Sequence, residues 1–180
     1  QQRISTVTEA ILLVGFDAIR SLLLTTSVFD LFPSRTARSR RDQEMLWDHS
    51  LACAVGAKVI GGAVRYEKLE ELFVAGLLHD IGKIVEMTLR PEDFARVAER
   101  VREGRVPICA AEMGVLGCTH ADIGRLLAER WNLPPKLVNT IAWHHTPAAA
   151  GAFAVESSIV HLADILARAL QLGSGGDPMV

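Results

Sequence analysis

Seven histidine and aspartate residues interrupt apolar stretches that would otherwise form the buried faces of helices. An ionised carboxylate on such a face is costly unless a cation or hydrogen bonds compensate it. A divalent transition ion is one such cation, and neutral imidazoles and carboxylates are ligands that it accepts. The residue types therefore predict a site for one or two metal ions, built from His49, His79, Asp80, His120, His144, His145 and Asp164.

The spacing of these residues places them on different helices. Successive groups are separated by 19 residues (145 to 164) to 40 residues (80 to 120), so they can meet only in the folded chain, as ligands in helical bundles do. For any single histidine, an ordinary core or surface position is the simpler explanation, and His79-Asp80 alone fits a polar helix end. Separate explanations for all seven positions are harder to sustain, which favours a shared site.

The apolar pattern predicts that helices position these residues. Apolar side chains recur at helical spacing, and no alternating run bounded by turns indicates a strand. A hydrophobic fraction of 49% and a charged fraction of 22% exclude a disordered chain. We expect a compact all-α domain of about eight to ten helices. The clearest predicted helices cover residues 5–15, 17–33, 42–62, 67–78, 91–103, 107–116, 119–131, 134–145 and 153–170. A loop is predicted at residues 34–41.

Composition and charge limit the expected partners. Lysine and arginine number 19 and aspartate and glutamate 21, so the net charge is −2, which argues against nucleic acid and anionic membranes. The stretch with Arg35, Arg38, Arg40 and Arg41 is better explained as a solvated loop than as a nucleic-acid-binding element. The longest apolar runs fall far short of the roughly 18 residues that span a bilayer. We expect neither a membrane nor a nucleic acid as partner.

The cysteines and the chain start indicate the cellular setting. Cys53, Cys109 and Cys118 form no CxxC pair and leave one cysteine unpaired, which fits a reducing compartment. No signal peptide is recognisable, so we expect a cytoplasmic protein. The chain begins with Gln1 rather than methionine, which favours a piece of a longer protein.

Several motifs together resemble a known family. The string H…HD…H…HH…D, with His79-Asp80-Ile81-Gly82-Lys83 as its HD element, is similar to the HD superfamily of metal-dependent phosphohydrolases. From residue 4 to about 170, the chain more narrowly resembles the HDOD domain, an HD-related output domain of bacterial signalling proteins. The resemblance is carried by residues 4–15, 47–51, 73–83, 112–117, 119–124, 129–134 and 141–145.

The resemblance implies a site for two ions bridged by the carboxylate of Asp80. A bridging carboxylate holds two ions about 3.5–4 Å apart, as two-metal hydrolases require. By the same resemblance, the other ligands are His49, His79 and Asp164 for the first ion and His120, His144 and His145 for the second.

The chemistry of these ligands suggests which ions bind and which other residues take part. Nitrogen-rich ligation without thiolates favours Fe or Mn, with Zn, Ni or Co as alternatives. Asp80 and Lys83 are the candidate catalytic residues, with Lys83 stabilising a phosphate oxygen, although a solvated lysine explains that residue equally well. Cys53, one turn after His49, and Cys118 are better explained as small buried residues than as ligands.

The resemblance leaves two functions open. One is a metal-dependent phosphohydrolase acting on a nucleotide or another phosphoester. The other is a non-catalytic signalling or scaffold module with a structural metal or none, because many HDOD domains have lost ligands. The GYP element of related phosphodiesterases is missing after His145, and Met45 stands where some relatives carry a glutamate of a third metal site.

The domain organisation follows from the same resemblance. Residues 1–41 are expected to form an N-terminal helical segment, residues 42–172 the metal-binding helical core, and residues 173–180 a flexible tail or linker. The expected partners are a sensor or receiver domain elsewhere in the full-length chain, a signalling protein, and a nucleotide ligand.

Overall fold

The computed structural model describes residues 6, 23, 32–33 and 36–176 of the chain. This part of the chain contains helices and no strand, which confirms the predicted all-α fold. Most of the predicted helices over 5–15 and 17–33, together with Arg35, lies outside the described residues. The helices are α1 (Ala37–Ala63), α2 (Leu69–Leu78), α3 (Ile81–Leu89), α4 (Pro91–Gly104), α5 (Ile108–Leu116), α6 (His120–Arg130), α7 (Pro135–Trp143), a 3-10 helix (Pro147–Phe153) and α8 (Ala154–Ala169).

The first of these helices begins earlier than the sequence predicted. The side chain of Thr36 accepts a hydrogen bond from the backbone N–H of Ser39 at 3.1 Å and caps a helix that starts at Ala37. The prediction of a loop over residues 34–41 was therefore wrong from residue 37 onward. Arginine has a high helix propensity, so the capped helix accommodates the basic stretch, and the side chain of Arg41 is exposed.

A break at His79 and Asp80 separates α2 from α3. Asp80 leaves the helical conformation, with φ −99° and ψ 14°, and the helix restarts at Ile81. The break places the Asp80 carboxylate at the N-terminus of α3, where the helix dipole favours a negative charge. The sequence analysis did not predict α3, although Ile81, Ile84 and Met87, all buried, recur at a spacing of three residues.

Two glycines allow the helices around this break to cross closely. Gly76 on α2 lies against the backbone of α1, where an added Cβ would be 2.8 Å from Cα of Ala54 and from the carbonyl oxygen of Cys53. Gly82 on α3 lies against α6, where an added Cβ would overlap the backbone carbonyl of His120. These crossings bring together the helices on which the predicted ligands lie.

The last helix is part of the core. The segment Pro147–Ala169 is long and apolar enough to cross a membrane by length and composition alone, a test that buried core helices also pass. It is not one continuous helix, because Gly151 has non-helical angles of φ 57° and ψ −119°. Ile159 and Val160 pack with residues of α1 and α2, and Asp164 is buried. The fold therefore uses α8 as a core helix.

Replacing Gly82 by alanine should destabilise the fold, although alanine is the better helix former. The added methyl group would overlap the His120 carbonyl. Overpacking typically costs about 1–3 kcal/mol, and a backbone overlap lies at the upper end, whereas alanine gains only about 1 kcal/mol over glycine in a helix. Chemical denaturation should show a lower free energy of unfolding.

The matched control for this prediction is Gly62→Ala, also within a helix. Nothing lies within 4 Å of a Cβ added at Gly62, so this variant should gain about 0.5–1 kcal/mol of stability. Equal effects of the two substitutions would contradict the close crossing of α3 and α6.

Candidate metal centre

The first group of candidate ligands comes from α1, the end of α2 and α8. His49, His79 and Asp164 are buried, and Nε2 of His49 lies 3.2 Å from Oδ1 of Asp164. The other oxygen of Asp164 accepts a hydrogen bond from the Arg168 guanidinium at 2.9 Å. The thiol of Cys53 lies 3.5 Å from Nε2 of His49. One ligand atom from each of His49, Cys53, His79 and Asp164 lies within 4.8 Å of the others.

The second group gathers at the start of α6 and just after α7. His120 and His144 are fully buried, and His145 is half-buried. The Nε2 atom of His120 lies 3.3 Å from that of His144 and 3.0 Å from that of His145. With Asp80, these residues offer ligand atoms that all lie within 4.8 Å of one another. Three imidazole edges and one carboxylate therefore face the same small volume.

Asp80 stands between the two groups. Its Oδ2 lies 3.4 Å from Nε2 of His79 and 3.7 Å from Nε2 of His49. Its Oδ1 lies 3.2 Å from Nε2 of His120 and 3.6 Å from Nε2 of His144. Each carboxylate oxygen faces a different group, as a carboxylate that bridges two ions must. The structure thus brings all seven predicted residues together, and their binding of metal stays a prediction.

Hydrogen bonds at the outer side of the rings turn the Nε2 atoms toward the centre. Nδ1 of His79 donates to the carbonyl of Gly76 at 2.7 Å, and Nδ1 of His144 donates to the carbonyl of Ile141 at 2.8 Å. Such bonds leave Nε2 with a lone pair, as in metal-ligating histidines. Among the described residues, the buried Nε2 of His79 has no hydrogen-bond partner. These residues therefore fit a divalent cation.

Burial gives three of the candidate histidines the neutral form that such a cation requires. It lowers the pKa of His79 to about 3 and lowers the pKa of His144 and of His145, so these imidazoles are neutral. Burial alone would raise the pKa of Asp80, but the charged Lys83 and the hydrogen bond with His120 outweigh it and hold that pKa well below its usual range. Neutral imidazoles and an ionised carboxylate are the forms that bind metal.

Glu112, which the sequence analysis did not assign to the site, orients one ligand. It is fully buried and accepts hydrogen bonds from the backbone N–H of His120 at 3.0 Å and from its Nδ1 at 2.8 Å. Burial and Lys83 oppose a positive charge on His120, but Glu112 and Asp80 outweigh them and raise the pKa of His120 to about 9. The sequence signal was a lone carboxylate in the apolar stretch 107–116.

Lys83 is buried rather than solvated. Its side chain is 3% exposed, and its Nζ lies 2.6 Å from Oδ2 of Asp80. Burial lowers the pKa of a lysine, but Asp80 and Glu112 outweigh it here and raise the pKa of Lys83, so the ammonium stays charged. The alternative of a solvated lysine was therefore wrong, and the catalytic roles of Lys83 and Asp80 stay predictions.

The family of the chain follows from comparison with known proteins. A family model of the HDOD domain matches residues 1–147. The chain belongs to the HDOD domain family. The crystal structure of an HDOD domain protein of unknown function from Geobacter sulfurreducens is similar, with 30% identity and a TM-score of 0.83 over 99% of this chain and 60% of that one.

Two further proteins resemble this HDOD domain. A Shewanella amazonensis SB2B protein, provisionally described as a phosphohydrolase, is 23% identical with a TM-score of 0.76 over 94% of this chain and 61% of its own, a likeness that shows the fold alone. An uncharacterized protein of Treponema pallidum (strain Nichols) is 29% identical over 141 residues, which cover 77% of this chain and 26% of that protein. The chain therefore spans about a quarter of the Treponema protein and about three fifths of the Geobacter and Shewanella chains.

The segment after α8, residues 173–176 with the sequence Gly-Ser-Gly-Gly, packs on α1 of this HDOD domain and is called the glycine strap below. The backbone N–H of Ser174 donates to the carbonyl of Met45 at 2.9 Å. Gly173 has a φ of 70°, and an added Cβ there would overlap the backbone nitrogen of His49. Part of the predicted flexible tail is therefore packed, because glycine permits this approach. Residues 177–180 lie outside the described residues.

The glycine strap covers the carboxylate of Asp80. Gly175 is buried, and a Cβ added there would be 2.9 Å from Oδ2 of Asp80 and 3.1 Å from Nζ of Lys83. On either side of it, Ser174 and Gly176 line a surface cavity of about 430 Å³. The strap therefore lies between this cavity and the candidate ligands.

Replacing Glu112 by glutamine should weaken metal binding at the second group. The amide carries no charge and cannot accept both hydrogen bonds from His120 as well as the carboxylate does. Loss of such an outer partner typically costs about 10–100-fold in metal affinity. Competition with a colorimetric zinc chelator should show this loss, whereas Glu129→Gln, which alters a surface pair with Arg125, should leave the affinity unchanged. Equal affinities of both variants would contradict the role of Glu112.

Replacing Gly173 by alanine should detach the glycine strap from α1. The variant should lose the hydrogen bond from Ser174 to Met45, and amide hydrogen exchange of residues 173–176 should become faster. The control is Gly151→Ala, which shares a positive φ of 57° but has nothing within 4 Å of the added Cβ. Unchanged exchange in Gly173→Ala, or equal acceleration by the control, would contradict the described packing.

Proposed function

We propose that this HDOD domain is a metal-dependent phosphohydrolase that acts on a nucleotide or another phosphoester. The observation that carries the proposal is Asp80, whose two oxygens face separate groups of imidazoles at 3.2 to 3.7 Å. Divalent ions held there would act as Lewis acids on phosphate oxygens and lower the pKa of a nucleophilic water. Fe, Mn, Zn, Ni or Co suits the nitrogen and oxygen donors.

The chain's own residues support this chemistry in distinct ways. Asp80 lies between the two groups of candidate ligands, and Glu112 orients His120 of the second group. Lys83 supplies a buried positive charge beside Asp80, which suits stabilisation of a phosphate oxygen. Because Gly175 covers Asp80 and Lys83, a phosphoester would reach them only after the glycine strap moves.

The test is turnover by purified, metal-supplemented protein. We expect hydrolysis of p-nitrophenyl phosphate, its bis-ester or one of a panel of nucleotides with Mn²⁺, Fe²⁺ or Zn²⁺. Asp80→Asn should lower kcat/KM by about a hundredfold or more, because removal of a metal-bridging charge forfeits several kcal/mol. Asp93→Asn is the control, since Asp93 pairs with Arg90 and Arg96 at the surface and should leave the rate unchanged.

A second candidate function is a non-catalytic signalling module that passes a conformational change to a partner. The glycine strap favours it, because residue 175 closes off Asp80 and Lys83. Metal-loaded protein that hydrolyses none of these substrates, including when Gly173→Ala has detached the strap, would contradict the hydrolase and support this candidate.

We also propose a cellular compartment and partners for this domain. We expect a cytoplasmic protein whose partner is a sensor or receiver domain of the same chain, or another signalling protein. The relatives support a larger protein, since this chain corresponds to 26% of the Treponema protein. The odd number of cysteines and the lack of a CxxC pair support a reducing compartment.

A further inference from the structure

A cysteine that the sequence analysis set aside lies inside the first group of ligands. Cys53 follows His49 by one helical turn on α1, and its side chain is fully buried. Its sulfur lies 3.5 Å from Nε2 of His49, and it belongs to the same cluster of ligand atoms as His79 and Asp164. We propose that Cys53 binds the first metal ion as a thiolate. The inference rests on the proposed metal site but not on its catalytic activity.

The separations between these atoms fit ligands of one ion. Metal bonds of about 2.0–2.1 Å to nitrogen or oxygen and about 2.3 Å to sulfur place neighbouring ligand atoms about 2.9–3.6 Å apart for angles of about 90–110° at the metal, the range of four- and five-coordinate ions. The distances are 3.5 Å from His49 to Cys53 and 3.2 Å from His49 to Asp164. The distance from the Cys53 sulfur to Nε2 of His49 is therefore the distance expected between two ligands of the same ion.

A second observation points to a cation at this place. Nε2 of His79 is completely buried, and it has no hydrogen-bond partner in the described part of the chain. Its Nδ1 donates to the carbonyl of Gly76, so Nε2 carries a lone pair in the same cluster as Cys53. A buried acceptor without a donor is costly, and a metal ion shared with Cys53 would satisfy it.

A thiolate would make the two groups differ in their metal preference. Soft sulfur ligands favour Zn over Mn, whereas carboxylates and imidazoles alone accept both. The second group has Asp80 and three histidines without a cysteine in its cluster. We therefore expect the first ion to be Zn, or Co in substituted protein, rather than the Fe or Mn suggested by the ligand types alone. On binding, the sulfur–metal bond forms and the thiol proton passes to solvent.

Spectroscopy of the cobalt-substituted protein tests the thiolate directly. Metal-free protein titrated with Co²⁺ under reducing conditions should develop a near-ultraviolet thiolate-to-cobalt charge-transfer band, with the visible bands reporting cobalt bound at either group. Cys53→Ser should lose the charge-transfer band and keep cobalt at the second group. The control variants Cys109→Ser and Cys118→Ser should keep the band. Cys109→Ser is the stricter control, because Cys109 lies near Glu112 and His120.

The outcomes separate this inference from the proposed function. Bound cobalt without a charge-transfer band, or a band that persists in Cys53→Ser, would overturn the role of Cys53 and leave the hydrolase open. Failure of the wild-type protein to bind cobalt would overturn both. Cys53→Ala should also lose the charge-transfer band. Circular dichroism of both variants shows whether the loss accompanies a folded protein, which separates loss of the ligand from a folding defect.

Metal competition gives a second readout. Protein equilibrated with equal concentrations of Zn²⁺ and Mn²⁺ should retain mostly zinc at the first group. Cys53→Ser should lower the ratio of zinc to manganese by about tenfold or more, because a hard hydroxyl replaces the soft thiolate. An unchanged ratio, measured by elemental analysis, would count against the inference.

Discussion

One buried carboxylate, Asp80, constrains the rest of the structure. It is 1% exposed, Nζ of Lys83 lies 2.6 Å from it, and imidazole nitrogens of both ligand groups surround it at 3.2 to 3.7 Å. Burial of such a charge is tolerated only with close cationic or hydrogen-bonding partners. The helix break places Asp80 next to these partners. Hydrogen bonds such as that from His120 to Glu112 hold the partners in position.

The close helix crossings explain how distant parts of the chain meet this requirement. A metal site needs its ligands held to within about 0.5 Å, which side chains on loosely packed helices do not achieve. Gly76 allows α2 to pack directly on the backbone of α1, and Gly82 allows α3 to pack directly on α6. His49, His79 and His120 are thereby brought to Asp80 by backbone contacts.

The two ligand groups are built differently. The first contains Cys53 and lies under the glycine strap, while the second is supported by Glu112. A Cys53 thiolate would act on metal preference, Glu112 orients His120, and the glycine strap covers Asp80.

Residue type and apolar spacing, which act locally, determined the all-α fold and most of the described helix positions, and the resemblance of the motifs indicated the family and the seven candidate ligands. The sequence analysis missed the early start of α1, although the Thr36 cap bonds to Ser39 only three residues later. It also missed α3, where Ile84 is buried by contacts with other helices. Only the tertiary structure decided that Lys83 is buried, that Cys53 lies among the candidate ligands of the first group and that residues 173–176 cover Asp80 and Lys83. These are distances between residues far apart in the chain, and helix packing sets them.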